Sequence, residues 1–222
     1  MNEPLVHVHS RAISLPDANI DTDIIFPARY LLKIDRVDMD KCLFHDRRFR
    51  PDGTVIPDFP LNQEGFRDAK VIIAGPGFGC GSSREQAVWA LVDYGIRVIV
   101  GTDFGDIFAG NAPKNGMLLI RTDRTTLATL TEYAQAGGLF DIDLQQRRLE
   151  VDGGDVLRFE LSDPALQAYA NGWDEMDVIL NTEIEHISKF ELAHQGRQPW
   201  LFVDADCGAS STTRGSKIGG SP

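Results

Sequence analysis

A glycine-rich loop followed by two serines and an arginine is the part of the sequence best suited to chemistry. Glycine recurs at every second position from Gly75 to Gly81, and Ser82, Ser83 and Arg84 follow directly. Because glycine has no side chain, this spacing lets backbone N–H groups converge on a negatively charged ligand. The two hydroxyl groups and the planar guanidinium add donors suited to a carboxylate. The loop is therefore predicted to bind a small acid.

Two other interpretations of this loop stay open on the residues alone. A phosphate site is one, although the lysine of a P-loop is missing and the glycines run GxGxGxG rather than GxGxxG. The other is a tight strand-to-helix turn in which Ser82 or Ser83 caps the helix. The pattern by itself does not decide between an anion site and a purely structural turn.

The elements on either side of the loop must hold it in place. Residues 71–74 form a continuous apolar run, which is typical of a strand covered on both faces. From Ser83, apolar residues recur with helical spacing until Gly95, and residues 97–100 provide a second apolar strand. The pattern predicts a βαβ unit with a right-handed crossover over residues 70–100. The apolar helix positions are Ala87, Ala90, Leu91 and Tyr94.

The rest of the chain is predicted to complete an α/β fold with a mixed or antiparallel part. Strands are predicted at Leu5–Leu15, Met117–Arg121, Leu139–Asp143, Leu149–Val151 and Val156–Leu161, and helices at Asp106–Ala109, Asp123–Ala136, Ser162–Asn171 and Thr182–Gly196. Ile20–Leu32 is interpreted as a short strand and a loop, and Asp35–Gln63 as an irregular, surface-exposed segment. Residues 204–222 are predicted to be a disordered tail, which leaves one domain over residues 1–203.

Composition narrows the class of protein. The 222 residues are 42% hydrophobic and 25% charged, as in ordinary globular domains. A formal net charge of −11 opposes a nucleic-acid partner. Without an apolar run of about 18 residues or a signal-peptide start, we expect a cytoplasmic protein with no membrane contact. Cys42, Cys80 and Cys207 show no metal-ligand spacing, so no metal bound by this chain alone is expected.

Three motifs, in this order, resemble the swivel domains of the aconitase family. The first motif is Asn19-Ile20-Asp21-Thr22-Asp23, followed by Pro27 and Tyr30-Leu31. The second is Gly79–Glu85, followed by Trp89-Ala90-Leu91 and Asp93-Tyr94-Gly95. The third is Phe104–Phe108, followed by Gly110-Asn111 and Asn115-Gly116. Across roughly residues 5–200 the order and spacing are most similar to the small subunits of isopropylmalate dehydratases. The resemblance implies a three-layer β/β/α swivelling domain. It also implies a hydro-lyase of leucine biosynthesis, active only with a large subunit in a heterodimer or heterotetramer.

The resemblance implies roles for individual residues. Ser82 would remove a proton from the small di-acid substrate, Asp23 would be a second catalytic residue, and Ser83 and Arg84 would bind the substrate. A [4Fe–4S] cluster held by the large subunit, and not by this chain, would act as a Lewis acid on the substrate hydroxyl. Simpler interpretations are that Asp23 caps a turn and that Arg84 forms a surface ion pair.

Substrate choice is expected to depend on residues 28–33, where Leu31 and Leu32 would contact the substituent of the malate. Related proteins that accept a third carboxylate place an arginine about where Leu32 stands. A leucine there favours isopropylmalate over citrate or homocitrate, although both leucines could simply pack against the core. Gln86 stands where the family has histidine. A dehydratase acting on citraconate or 2,3-dimethylmalate is therefore an alternative, as is a stand-alone anion-binding or regulatory module.

Overall fold

The computed structural model describes residues 2–32, 37–151, 154 and 157–202. The chain divides into two compact units, Met1–Val178 and Ile179–Pro222. The predicted disordered tail at 204–222 lies outside the described residues. The predicted domain boundary at residue 203 therefore stays a prediction.

The described strands of the first unit form one mixed sheet. They are β1 (His7–Leu15), β2 (Val71–Ala74), β3 (Val98–Gly101), β4 (Leu118–Arg121), β5 (Leu139–Asp143), β6 (Arg148–Val151) and β7 (Leu157–Arg158). Their order across the sheet is β4-β3-β2-β1-β5-β6-β7. β1 to β4 pair in parallel, with Leu15 opposite Ala74, whereas β5 pairs antiparallel to β1 and β6 to β5. The predicted mixed sheet is confirmed, and its last strand is shorter than expected.

Most of the predicted helices are confirmed with shifted ends. The helices are α1 (Thr22–Ile25), α2 (His45–Arg48), α3 (Glu85–Tyr94), α4 (Asp106–Lys114), α5 (Arg124–Gln135), α6 (Asp163–Asn171), α7 (Glu175–Thr182) and α8 (Ile184–Arg197). α4 runs five residues beyond the predicted end at Ala109, and α1, α2 and α7 were not predicted. None of the described helices is long and apolar enough to cross a membrane.

Two hydrophobic cores lie on opposite faces of the sheet. In β2, Ile72 belongs to one core and Val71 and Ile73 to the other. The first core includes the buried face of α3, and the second includes Leu127 and other buried residues of α5. Because successive strand residues point to opposite faces, a strand covered on both sides must be apolar throughout. This explains the continuous apolar run that predicted β2.

The prediction of a short strand within Ile20–Leu32 is wrong. The described residues there form α1, followed by a 3-10 turn at Ala28–Tyr30. The Asp21 carboxylate caps α1 by accepting a hydrogen bond from the Ile24 N–H group at 2.8 Å. A single cap suffices for a helix of four residues, which is too short to show helical periodicity in the sequence.

The prediction that Asp35–Gln63 is surface-exposed holds for most of its described residues, which are exposed or partly exposed, but is wrong around Met39–Phe44. The described part, from residue 37, is irregular and consists of short turns that include α2. Met39, Leu43 and Phe44 are nevertheless fully buried and join the core that α3 covers. The surrounding charged residues concealed this burial, because apolar residues in turns follow no regular period.

Candidate active site

The glycine loop, residues 75–84, connects β2 to α3 and is anchored from two sides. On one side the Gly79 N–H group donates to the Ile20 carbonyl at 2.7 Å. On the other side the Gly77 N–H group donates to the Asp103 carboxylate at 2.7 Å, and the Gly105 N–H group donates to the Phe78 carbonyl at 2.9 Å. The three motifs that are separate in the sequence are therefore joined around this loop.

Position 79 requires glycine for two reasons, which are its backbone conformation and the lack of room for a side chain. Its φ of 73° lies in the left-handed region, and a Cβ atom would lie 2.3 Å from Cγ of Phe108. Since side chains rarely adopt that conformation and atoms cannot approach so closely, only glycine fits without rearrangement. The loop is thus packed directly on α4.

The two serines do not cap α3. The helix begins at Glu85, and its N-cap is Arg84, whose side chain makes no capping hydrogen bond. Ser82 and Ser83 are exposed, and no group in the described ranges is hydrogen-bonded to either hydroxyl. The interpretation of these serines as helix caps is therefore wrong. Both hydroxyls are available to a ligand near the positive end of the helix dipole.

Arg84 and Asp23, which are 61 positions apart, form an ion pair beside the serines. The Arg84 Nη1 group donates to the Asp23 carboxylate and, at 3.2 Å, to the Phe26 carbonyl. The Arg84 side chain is only 11% exposed, whereas that of Asp23 is 55% exposed. Among the described residues no acceptor faces Nε or Nη2 of Arg84. These two groups form the guanidinium edge that binds a carboxylate through two parallel hydrogen bonds.

This arrangement decides between the interpretations of the two residues. The cap of α1 is Asp21 and not Asp23, so a capping role for Asp23 is wrong. Arg84 does form an ion pair, but its guanidinium is largely buried rather than on the surface. The pair therefore holds a partly satisfied cation next to two free hydroxyls.

The two candidate specificity residues, Leu31 and Leu32, lie in different environments. Leu31 is partly buried against the core that α3 covers, while Leu32 is 93% exposed. Packing against the core therefore explains Leu31 but not Leu32. Close by in the chain, Arg29 binds Asp46 through both guanidinium Nη groups, and this contact lowers the pKa of the Asp46 carboxyl. The Arg29 guanidinium is consequently already paired.

Thr22 is a residue of the site for which the sequence suggested no role. It is 3% exposed, and its hydroxyl donates to the Ser82 carbonyl at 2.9 Å. Between two aspartates at a helix start, a threonine suggests only local capping. The contact joins residues 60 positions apart, so no local pattern indicates it.

A metal site is not formed within the part of the chain that the structure describes. No group of three or more His, Cys, Asp or Glu side chains there could hold an ion. Cys42 is buried, and Cys80 is partly buried within the glycine loop. Gln86 lies partly buried in the first turn of α3.

Several known proteins are similar to the chain. The family model "Aconitase C-terminal domain" matches residues 2–125. The 3-isopropylmalate dehydratase small subunit of Afipia carboxidovorans is 40% identical over 90% of this chain and 100% of its own, and that of Oceanobacillus iheyensis is 39% identical over 86% and 100%. The small subunit of Brucella abortus is 41% identical over 85% and 94%. The crystal structure of a 3-isopropylmalate dehydratase of Methanocaldococcus jannaschii superposes with a TM-score of 0.61 at 24% identity, over 82% of this chain and 99% of that one. The matched residues 2–125 include all three sequence motifs.

Proposed function

The chain belongs to the aconitase C-terminal domain family, among the small subunits of 3-isopropylmalate dehydratases, and we propose that it is the substrate-closing half of a two-subunit hydro-lyase. The predicted swivelling α/β fold is confirmed by this membership and by the mixed sheet. The proposed reaction interconverts 2-isopropylmalate and 3-isopropylmalate by dehydration and rehydration. It requires a large partner subunit, in a heterodimer or heterotetramer.

The observation that carries the proposal is the largely buried Arg84 guanidinium beside the exposed hydroxyls of Ser82 and Ser83. The free Nε and Nη2 edge of Arg84 binds one carboxylate of the substrate through two hydrogen bonds. Asp23 holds the opposite side of the guanidinium and so fixes its orientation. Ser83 adds a hydroxyl donor next to the bound carboxylate.

Ser82 is the proposed base. Its deprotonated oxygen takes a proton from the carbon next to the hydroxyl-bearing carbon. The electrons of the C–H bond form the double bond while the C–O bond breaks and hydroxide leaves. Hydroxide then adds to the carbon that lost the proton, and Ser82 returns its proton to the carbon that lost the hydroxide. These two additions give the isomer and restore the deprotonated serine. A serine is a weak base, so the Arg84 charge and the N–H donors of the loop and of α3 must stabilise its deprotonated form.

The resemblance implies that this reaction uses a [4Fe–4S] cluster, and we assign that cluster to the large subunit. When bound there, it supplies a Lewis acid for the hydroxyl group of the substrate. The described residues of this chain do not fit such a cluster, because neither Cys42 nor Cys80 belongs to a group of three or more possible metal ligands. The free thiol of Cys80 fits the reducing cytoplasm, which we propose as the location.

Leu32 and Arg29 support an alkyl substituent on the substrate. Leu32 offers an exposed apolar side chain that would be buried by an isopropyl group. Arg29 is not available to pair with a third carboxylate at that position, because it is already bound to Asp46. Leaving a carboxylate unpaired costs about 1–3 kcal/mol. This penalty favours isopropylmalate over citrate.

The test is reconstitution of the full chain with a cluster-bearing large subunit. Turnover is followed by the ultraviolet absorbance of the unsaturated acid, which rises with 2-isopropylmalate, 2,3-dimethylmalate and citrate as they are dehydrated and falls with citraconate as it is hydrated. The highest kcat/KM is expected for 2-isopropylmalate. A higher value for citraconate or 2,3-dimethylmalate would replace the proposed substrate. Turnover by the chain alone, without iron, would contradict the two-subunit assignment.

A further inference from the structure

Thr22 holds the glycine loop at two carbonyl groups, those of Cys80 and Ser82. Its backbone N–H group donates to the Cys80 carbonyl at 2.9 Å, and its hydroxyl donates to the Ser82 carbonyl at 2.9 Å. These carbonyls belong to the peptide groups on either side of Gly81 and Ser82. With an exposure of 3%, Thr22 makes both contacts away from water. A single residue therefore sets the orientation of two peptide planes next to the proposed base.

The orientation of those peptides decides where their N–H groups point. In a planar trans peptide the C=O and N–H bonds point in opposite directions. Because the Cys80 and Ser82 carbonyls point at Thr22, the N–H groups of Gly81 and Ser83 point away from it. In the described part of the chain neither N–H group has an acceptor. Two oriented, unpaired donors therefore flank Ser82.

Gly81 allows the loop to approach Thr22 in this way. Its φ of 99° lies in the left-handed region, and a Cβ atom there would lie 3.3 Å from the Thr22 hydroxyl oxygen. A side chain at this position would strain the backbone and press on that hydroxyl. The glycine and the threonine are therefore complementary parts of one contact.

We infer that Thr22 is a positioning residue, which aims the Gly81 and Ser83 N–H groups at the negative charge that develops beside Ser82. The inference rests on the proposed function, since it takes Ser82 as the base. Donors that are oriented before the reaction stabilise developing charge without the cost of reorganisation. Without the Thr22 hydroxyl the Ser82–Ser83 peptide can rotate, and its N–H group loses this fixed direction.

Kinetics of the reconstituted complex provide the first test. Thr22→Val is expected to lower kcat on 2-isopropylmalate on the order of tenfold or more, with KM changed less than about threefold. Thr22→Ser restores the hydroxyl and should recover most of kcat. The matched control is Thr129→Val on α5, whose hydroxyl donates to the Thr125 carbonyl at 3.3 Å, and it should leave kcat unchanged. A Thr22→Val complex that assembles normally and keeps its kcat would overturn the inference.

Amide resonances of the full chain provide a test that does not depend on turnover. Titration with malonate, against sodium chloride at equal ionic strength, should shift the Gly81 and Ser83 amide signals in the wild-type chain and much less in Thr22→Val. If Thr22→Val does not fold, Thr22→Ala replaces it in the same titration, because the smaller side chain lets water reach the Ser82 carbonyl. Equal shifts in wild type and variant would refute the orienting role. If the shifts differ as expected but the wild-type complex does not convert 2-isopropylmalate, the proposed function fails and the orienting role stands.

Discussion

Replacing Arg84 by lysine keeps a positive charge near Asp23 but removes the flat guanidinium edge. In the structure Nη1 of Arg84 contacts Asp23 and the Phe26 carbonyl, which leaves Nε and Nη2 for the substrate. A lysine ammonium can retain the contact with Asp23, but it offers the substrate a single point of attachment. We therefore expect Arg84→Lys to fold and to bind the large subunit.

The magnitude follows from the hydrogen bonds that are lost. At least one charge-assisted hydrogen bond to the substrate carboxylate disappears, and each such bond contributes about 1.5–3 kcal/mol. Since 1.4 kcal/mol corresponds to a factor of ten, kcat/KM should fall by roughly 10-fold to 150-fold. Asp23→Asn should cost less than Arg84→Lys, and at most about tenfold, because the guanidinium keeps its substrate edge and its contact with the Phe26 carbonyl.

Steady-state kinetics on 2-isopropylmalate, with gel filtration of the complex, measure these effects. Arg147→Lys is the matched control, because Arg147 pairs with Asp163 in another part of the first unit. It should leave kcat/KM unchanged. A loss of less than about threefold in Arg84→Lys would show that Arg84 does not bind the substrate. A loss in Asp23→Asn as large as in Arg84→Lys would refute the purely orienting role of Asp23.

Three further predictions concern the base, the loop and the substrate pocket. Ser82→Ala should lower kcat more than about 10²-fold while the complex still assembles, and near-normal kcat would remove Ser82 from the role of base. Gly79→Ala should lower the free energy of unfolding by about 2–4 kcal/mol, because it combines a left-handed φ with the clash against Phe108. Gly53→Ala, at a φ of 83° with no atom within 4 Å, should cost only about 1 kcal/mol in the same denaturation experiment. Leu32→Arg should raise the kcat/KM ratio of citrate to 2-isopropylmalate at least tenfold, and an unchanged ratio would exclude Leu32 from substrate choice.

The elements around the loop could be predicted because their signals are local. The apolar run of β2 reports a strand covered on both faces, and the buried residues of α5 recur with helical spacing. Gly95 ends α3 with a φ of 110°, as its position after the apolar pattern indicated. Each of these signals lies within a few residues of the element that it specifies.

The region before β2 could not be predicted for the opposite reason. Met39, Leu43 and Phe44 are buried in the core that α3 also joins, and α3 lies more than 40 positions later in the chain. Short turns carry no hydrophobic period, so their burial depends on what packs against them. The polar residues that separate them made the segment resemble an exposed loop.

The sequence by itself determined the chemical groups of the site and the element that carries them. Four alternating glycines, two serines and an arginine between a strand and a helix provide donors suited to an anion, because glycine conformation and hydrogen-bonding capacity are properties of the residues themselves. The pattern alone left a purely structural turn open. Only the tertiary structure decided which partners these groups have. Arg84 pairs with Asp23, which is 61 positions away in the sequence, and Thr22 is hydrogen-bonded to the Ser82 carbonyl, which is 60 positions away. Such contacts form because the parallel strands β1 and β2 bring the loops at their carboxyl ends together, although these loops are far apart in the sequence. No local sequence pattern indicates contacts of this kind.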